Sequence, residues 1–124
     1  MSKKLLEPGL PRGFEDSFGK SLVIEKKIKE VIEKNFLRYG YTEIKTSPFE
    51  YSENIGGFLT DDLSDFSKDI FTFDDKDKRI SLRFDLSAPL ARVVSEKYLE
   101  FAFPFRRFQI AEVFRNETSK TGRG

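Results

Sequence analysis

The sequence predicts an α+β fold, an antiparallel sheet flanked by helices, and three stretches carry that prediction. Residues 21–39 place Leu22, Ile24, Ile28, Val31, Ile32 and Phe36 at helical spacing, with Lys26, Lys27, Lys29, Glu30, Glu33 and Lys34 on the other face. Residues 70–84 read as a hairpin: Ile70-Phe71-Thr72-Phe73 and Arg79-Ile80-Ser81-Leu82-Arg83-Phe84 both alternate, and the polar run Asp74-Asp75-Lys76-Asp77-Lys78 joins them. Residues 106–117 alternate again, with Phe108, Ile110 and Phe114 set against Arg107, Gln109, Val113 and Arg115, so this segment reads as a strand with unlike faces.

The connecting segments follow from local chemistry. Residues 1–19 are rich in Pro, Gly and charge around Pro11-Arg12-Gly13-Phe14-Glu15-Asp16, and read as an extended lead-in. The helix over 21–39 is expected to cover a sheet, and Gly40 stands where a C-terminal stop belongs. Residues 41–46 form a short strand stopped by Pro48, whose missing N–H cannot serve a central ladder. Residues 49–69 are less regular, because Gly56-Gly57 interrupts them. Asp61, Asp62, Asp65 and Asp69 make the stretch acidic without the ligand pattern or glycine of a calcium loop, so a solvated loop is expected and no metal site. After Phe84, Ser87 can cap a helix and Pro89 suits its first turn, while Leu90, Val93, Val94 and Tyr98 carry the helix to about Lys97. Residues 118–124 read as the first part of a polar loop.

Composition narrows the chemistry. At 124 residues the chain is one domain at most. Lys plus Arg number 22 against 21 Asp plus Glu, so no general basic field attracts nucleic acid, and any RNA contact must be local. The absence of Cys and His removes disulfides, thiolate zinc sites and Ser-His or Cys-His catalysis, leaving carboxylates and arginines for any chemistry. Fourteen Phe with no Trp point to a core or interface built from phenyl rings. The N-terminus lacks the apolar region of a secretory signal and no apolar run is long enough to span a bilayer, so a cytoplasmic protein with no membrane partner is expected.

Two sets of residues carry candidate chemistry. Arg115 and Glu117 share one strand face, where an arginine can grip a phosphate bidentately and a carboxylate can accept from an amine such as that of adenine. The same pair would also suit an ordinary surface ion pair. Asp85 and Ser87 lie at a strand-to-helix junction, where a carboxylate can be aimed at a ligand amine, or where both can simply cap the helix.

Taken together, P-R-G-F-E-D, then Y-G-Y-T-E-I-K-T-S-P-F-E-Y, then S-L-R-F-D-L-S-A-P-L-A-R and finally F-R-R-F-Q-I-A-E-V-F-R-N-E resemble the front of the histidyl-tRNA synthetases. The resemblance runs from about Pro11 to Arg123. Four strings in order at compatible spacing demand one fold with all its parts aligned. It implies a class II synthetase-like antiparallel sheet and a homodimer. Residues 1–124 would be the N-terminal part of the catalytic domain, holding motif 1 and the first half of motif 2, without an anticodon-binding domain. The segment from the helix through Pro48 is similar to motif 1, which places Pro48 at the dimer interface. By the same likeness Arg115 would hold the α-phosphate of ATP and the histidine carboxylate, and Glu117 would meet the adenine amine. Asp85, Leu86 and Ser87 would hold the α-amino group of L-histidine. Substrates and partners implied are ATP with Mg2+, L-histidine and tRNA(His).

The sequence departs from the family where motif 2 should continue as G-R-[FY]-R-[EQ]-F, since Gly122-Arg123 is followed by Gly124. Arg123 therefore falls short of the family's loop that meets ATP or the tRNA acceptor end. The fold is expected to be incomplete at its C-terminus, and this chain alone is expected not to form histidyl adenylate. Two other readings differ in class: the synthetase-like regulatory subunit of ATP phosphoribosyltransferase, which senses histidine without adenylate chemistry, and a dimerisation fragment without ligand. The pair Arg115 and Glu117 separates the first from a synthetase, because a regulator has no need of both.

Overall fold

Helix α1 (Lys20–Arg38) forms where the apolar period of the sequence places it. Its polar side is laced by i,i+4 ion pairs, Glu25 to Lys29 at 3.3 Å and Glu30 to Lys34 at 2.9 Å. The helix ends in a Schellman motif. Gly40, at φ 81°, supplies the left-handed residue, the Tyr41 N–H donates to Phe36 O at 3.0 Å, and the Gly40 N–H donates to Leu37 O at 3.1 Å. The ring of Tyr41 closes edge-on against Phe36, the apolar contact that accompanies this motif. The computed structural model describes residues 5–55 and 69–116. The acidic cluster Asp61, Asp62 and Asp65, together with Glu117 and Arg123, lies outside the described residues.

A three-stranded antiparallel sheet has the order β2 (Phe49–Tyr51), β4 (Lys78–Leu82), β3 (Thr72–Asp75). The hairpin β3–β4 is the one the alternation predicts, closed by the two residues Lys76-Asp77 with Lys76 at φ 58°. Strand β2 is a correction, because residues 49–51 were expected in an irregular stretch. Phe-Glu-Tyr alternates over too few residues to stand out, yet Glu50 is buried between exposed Phe49 and Tyr51. A 3-10 turn, Ser52–Asn54, follows, and Ser52 Oγ meets Ser81 Oγ of β4 at 2.6 Å. Phe49 and Phe73 meet edge to face at 5.8 Å, and Phe14 of the lead-in reaches Phe71 at 6.1 Å. The lead-in is not simply extended. Gly13 at φ 87° and the bond from Phe14 N–H to Pro11 O make P-R-G-F a β-turn with glycine at its third position.

Two strands are shorter than expected. Strand β1 (Thr42–Glu43) pairs in parallel with β5 (Arg107–Phe108), and among the described residues no other ladder forms over 41–46 or 106–116. Beyond Phe108 the chain stays beside the sheet through single bonds: Phe114 N–H to Arg83 O at 3.0 Å and Asn116 N–H to Asp69 O at 2.8 Å. The expectation that α1 covers a sheet also fails. A helix of 19 residues is about 28 Å long, whereas a two-residue ladder offers about 7 Å. The last turn docks through Phe36 stacked on Phe108 at 5.0 Å, and no residue of α1 is buried.

Helix α2 (Ser87–Glu96) is fastened to the sheet by charge. Arg92 Nε reaches the two Glu50 carboxylate oxygens at 2.8 and 2.7 Å, and Arg92 Nη1 reaches Glu96 at 3.3 Å. Burial pulls the Arg92 pKa down, but the hydrogen bond and charge of Glu50, aided by Glu96, outweigh it and leave the pKa above the ordinary guanidinium value. Among the described residues the buried apolar side chains are Ile55, Ala88 and Phe108, with Pro89 also enclosed. Thr46, Glu50, Ser81 and Arg83 are buried beside them, so polar bonds fix this interior as much as apolar packing does.

Candidate functional site

The site is built on the turn Arg83-Phe84-Asp85-Leu86-Ser87, which leaves β4 and enters α2. Alternation places Arg83 in line with Ser81, on the buried side of the sheet. Its guanidinium donates from Nε to Glu112 O at 2.6 Å and from Nη1 to Thr46 O at 3.1 Å, and its own N–H donates to Pro48 O at 2.9 Å. One residue thus ties the segment around Pro48 to the turn and to the strand-like run ending at Arg115. Gln109 adds a second tie, Nε2 donating to Thr46 Oγ1 at 2.9 Å, while its Oε1 is buried without a hydrogen-bond partner among the described residues.

Asp85 rather than Ser87 caps α2. Asp85 Oδ1 accepts from the N–H groups of Ser87 at 3.2 Å and Ala88 at 3.0 Å, and Ser87 is already the first helical residue. Of the two residues the sequence offers as caps, Asp85 fills that role and Ser87, already helical, does not. Capping engages one carboxylate oxygen. Among the described residues Asp85 Oδ2 and Ser87 Oγ make no hydrogen bond, and Ser87 is exposed, so both remain available to a ligand.

Arg115 lies against this turn. Its Nε donates to Phe84 O at 3.2 Å, and its guanidinium carbon stands 4.3 Å from the Phe84 ring centroid. The structure thus brings Arg115 against Phe84, 31 positions earlier, at the start of the turn that carries Asp85, Leu86 and Ser87. A cation therefore contacts the turn that carries a carboxylate and a hydroxyl. Pro48 is joined to this turn through Arg83 and lies outside it. A separate cleft of about 560 Å³ between the 52–54 turn and α2 is lined by Glu53, Arg92 and Glu96.

Arg83, Phe84 and the Glu50–Arg92 pair are parts of this architecture that the sequence reading did not single out. A signal existed for Arg83, since an arginine at an inward-facing strand position requires buried partners. None existed for Phe84, whose contact with Arg115 joins residues that only the fold makes neighbours.

Comparison with known proteins places these features. No protein-family model matches the chain. The chain is 48% identical over 118 residues to the histidine–tRNA ligase of Pelagibacter ubique and 34% identical over 123 residues to that of Clostridium tetani. These alignments cover 95% and 99% of the chain. The chain is a sequence relative of the histidine–tRNA ligases. It spans about a quarter of these relatives, 25% and 27% of their length. The histidyl-tRNA synthetase of Nostoc sp. PCC 7120 superposes with a TM-score of 0.76 at 26% identity, over 88% of this chain and 25% of that one. A Bacillus halodurans structure described as an ATP phosphoribosyltransferase regulatory subunit/histidyl-tRNA synthetase superposes at 0.75 and 26%, over 90% of this chain and 29% of its own. The α+β architecture with its antiparallel sheet is therefore that of the histidyl-tRNA synthetase-like class II fold.

Proposed function

We propose that this chain is the N-terminal part of a class II catalytic domain that activates L-histidine with ATP for transfer to tRNA(His), in a cytoplasmic homodimer. The observation that carries the proposal is Arg115 laid on the Phe84–Ser87 turn, in a chain 48% identical to a histidine–tRNA ligase. In this reading the histidine carboxylate attacks the α-phosphorus of ATP, the bond to the bridging oxygen breaks, and pyrophosphate leaves. Arg115 neutralises charge on the α-phosphate and on the carboxylate as they meet. Asp85 Oδ2 and Ser87 Oγ receive the α-ammonium group, with the Leu86 backbone between them. Glu117 takes the adenine amine, and the Pro48 segment serves the dimer.

Magnesium, which the family resemblance implies, has no built site among the described residues. Among the described residues no group of three or more His, Cys, Asp or Glu could hold a metal ion, so no step is assigned to it. Likewise, no helix among the described residues is long and apolar enough to cross a membrane.

The test is exchange of labelled pyrophosphate into ATP by the full-length protein, with each amino acid in turn. Exchange with histidine and with no other amino acid is expected. Histidine binding without exchange would replace this proposal with the regulatory reading that the Bacillus halodurans neighbour suggests.

A further inference from the structure

We infer that Arg83 is a positioning residue: it sets the distance between the two halves of the proposed site by gripping the backbone just ahead of Arg115 from the segment that carries Asp85 and Ser87. The inference rests on the proposed roles of those three residues and deepens them. Adenylate formation brings a carboxylate onto a phosphorus, and an error of about 1 Å in such an approach can cost about 10²-fold in rate. The two halves come from residues 85–87 and 112–115, which no strand ladder joins among the described residues. Arg83 joins them instead. Its Nε donates to Glu112 O at 2.6 Å, and its own carbonyl oxygen accepts from the Phe114 N–H at 3.0 Å. The run is thus held three residues and one residue before Arg115, and just beyond it the Asn116 N–H donates to Asp69 O at 2.8 Å. These bonds act on the backbone, so they place residue 115 whatever else its side chain touches. Arg83 is itself anchored, Nη1 to Thr46 O at 3.1 Å and N–H to Pro48 O at 2.9 Å. Its side chain is held in a buried site, with the residue 7% exposed. Both side-chain acceptors are neutral carbonyl oxygens, and among the described residues no carboxylate pairs with this guanidinium. Arg83 therefore works through the fixed spacing of its N–H groups rather than through its charge, and a lysine ammonium on a flexible stem cannot reproduce that spacing.

The experiment compares Arg83→Lys, which keeps the charge and loses the fork, with Arg83→citrulline, which keeps the Nε–H and a terminal NH2 and loses the charge. Both are made in the full-length protein and assayed by histidine-dependent pyrophosphate exchange, well below each variant's melting temperature. In Arg83→Lys the kcat should fall by about ten-fold or more. Its KM for histidine should stay within about two-fold of the parent, because Asp85 keeps its own bonds to the Ser87 and Ala88 N–H groups. Arg83→citrulline should retain kcat within about three-fold of the parent. Parent-level kcat in folded Arg83→Lys shows that Arg83 serves the fold alone and overturns the inference. So does a loss in Arg83→citrulline as large as that in Arg83→Lys, since the charge then matters and not the spacing. Should Arg83→Lys fail to fold, the isosteric citrulline variant decides by itself: loss of exchange overturns the inference, and retention upholds it. Each of these failures leaves the proposed function standing. Parent-level exchange in Arg115→Ala removes Arg115 from the site, and the role of Arg83 falls with it, while absence of exchange in the parent overturns the proposed function itself.

Discussion

Asp85 serves the fold and the proposed site with different oxygens, and this lets the two roles be separated. Asparagine caps a helix as well as aspartate does, so Asp85→Asn should change stability by less than about 0.5 kcal/mol, whereas Asp85→Ala should cost about 1 kcal/mol. A hydrogen bond to a charged group contributes roughly 1.5–3 kcal/mol, so the KM for histidine in Asp85→Asn should rise by about ten-fold or more. Chemical denaturation and histidine-dependent exchange measure the two effects, and an unchanged KM would reduce Asp85 to a cap. At this scale the sequence offers candidates and is poor about how they are held. Asp85, Ser87 and Arg115 are candidates because their types and spacing suit an amine and a phosphate. Of the two candidate caps Asp85 serves, because the first turn of α2 begins at Ser87, and boundaries of that size are not encoded in propensity. Phe84 is invisible in advance, because its partner lies 31 positions away.

Elements follow the same division. Helix α1 and the β3–β4 hairpin are local structures, readable from period, from Gly40 and from a two-residue turn. Strands β1 and β5 are not, since their ladder joins residues 42–43 to 107–108, and alternation over 106–117 cannot show how little of it finds a partner. Helix α2 depends on Glu50 of β2, which the sequence hides in a three-residue strand. Glu50 is 5% exposed, so Arg92→Ala would leave a buried carboxylate without its cation. Loss of one partner from a buried pair costs about 3–5 kcal/mol, and partial exposure of Arg92 brings the expectation toward the lower end. Urea denaturation should show this loss. The double change Glu50→Leu with Arg92→Met should recover most of it, because no charge is then stranded. A cost below about 1 kcal/mol for Arg92→Ala would show that the pair does not fasten the helix.

On the scale of the whole molecule, the apolar face of α1 is the largest mismatch between pattern and burial. Val23, Ile24, Ile28 and Val31 are 53%, 57%, 54% and 59% exposed, although their spacing is that of a buried stripe. Surface of this kind favours association. Sedimentation at micromolar concentration should give dimers or larger species, and Ile28→Glu with Val31→Lys should return monomers. A monomer at every concentration would refute association through this face. The amphipathic pattern reveals that α1 has a face to bury but not what buries it. The chain spans 25% of its Pelagibacter ubique relative, and the proposed site offers one arginine toward the phosphates. Adenylate formation draws on several preorganised donors around the phosphates, so the 124-residue chain alone should show no histidine-dependent exchange.

The central claim is that Arg115, braced on the turn that carries Asp85 and Ser87, stabilises the charge formed when a carboxylate attacks a phosphate. Its most direct test is Arg115→Lys in the full-length protein, assayed by histidine-dependent pyrophosphate exchange beside a thermal melt. Lysine keeps the charge and loses the planar fork, so exchange should fall by about 10²-fold or more while the melting temperature stays near that of the parent. Exchange at the parent rate in Arg115→Lys would contradict the account.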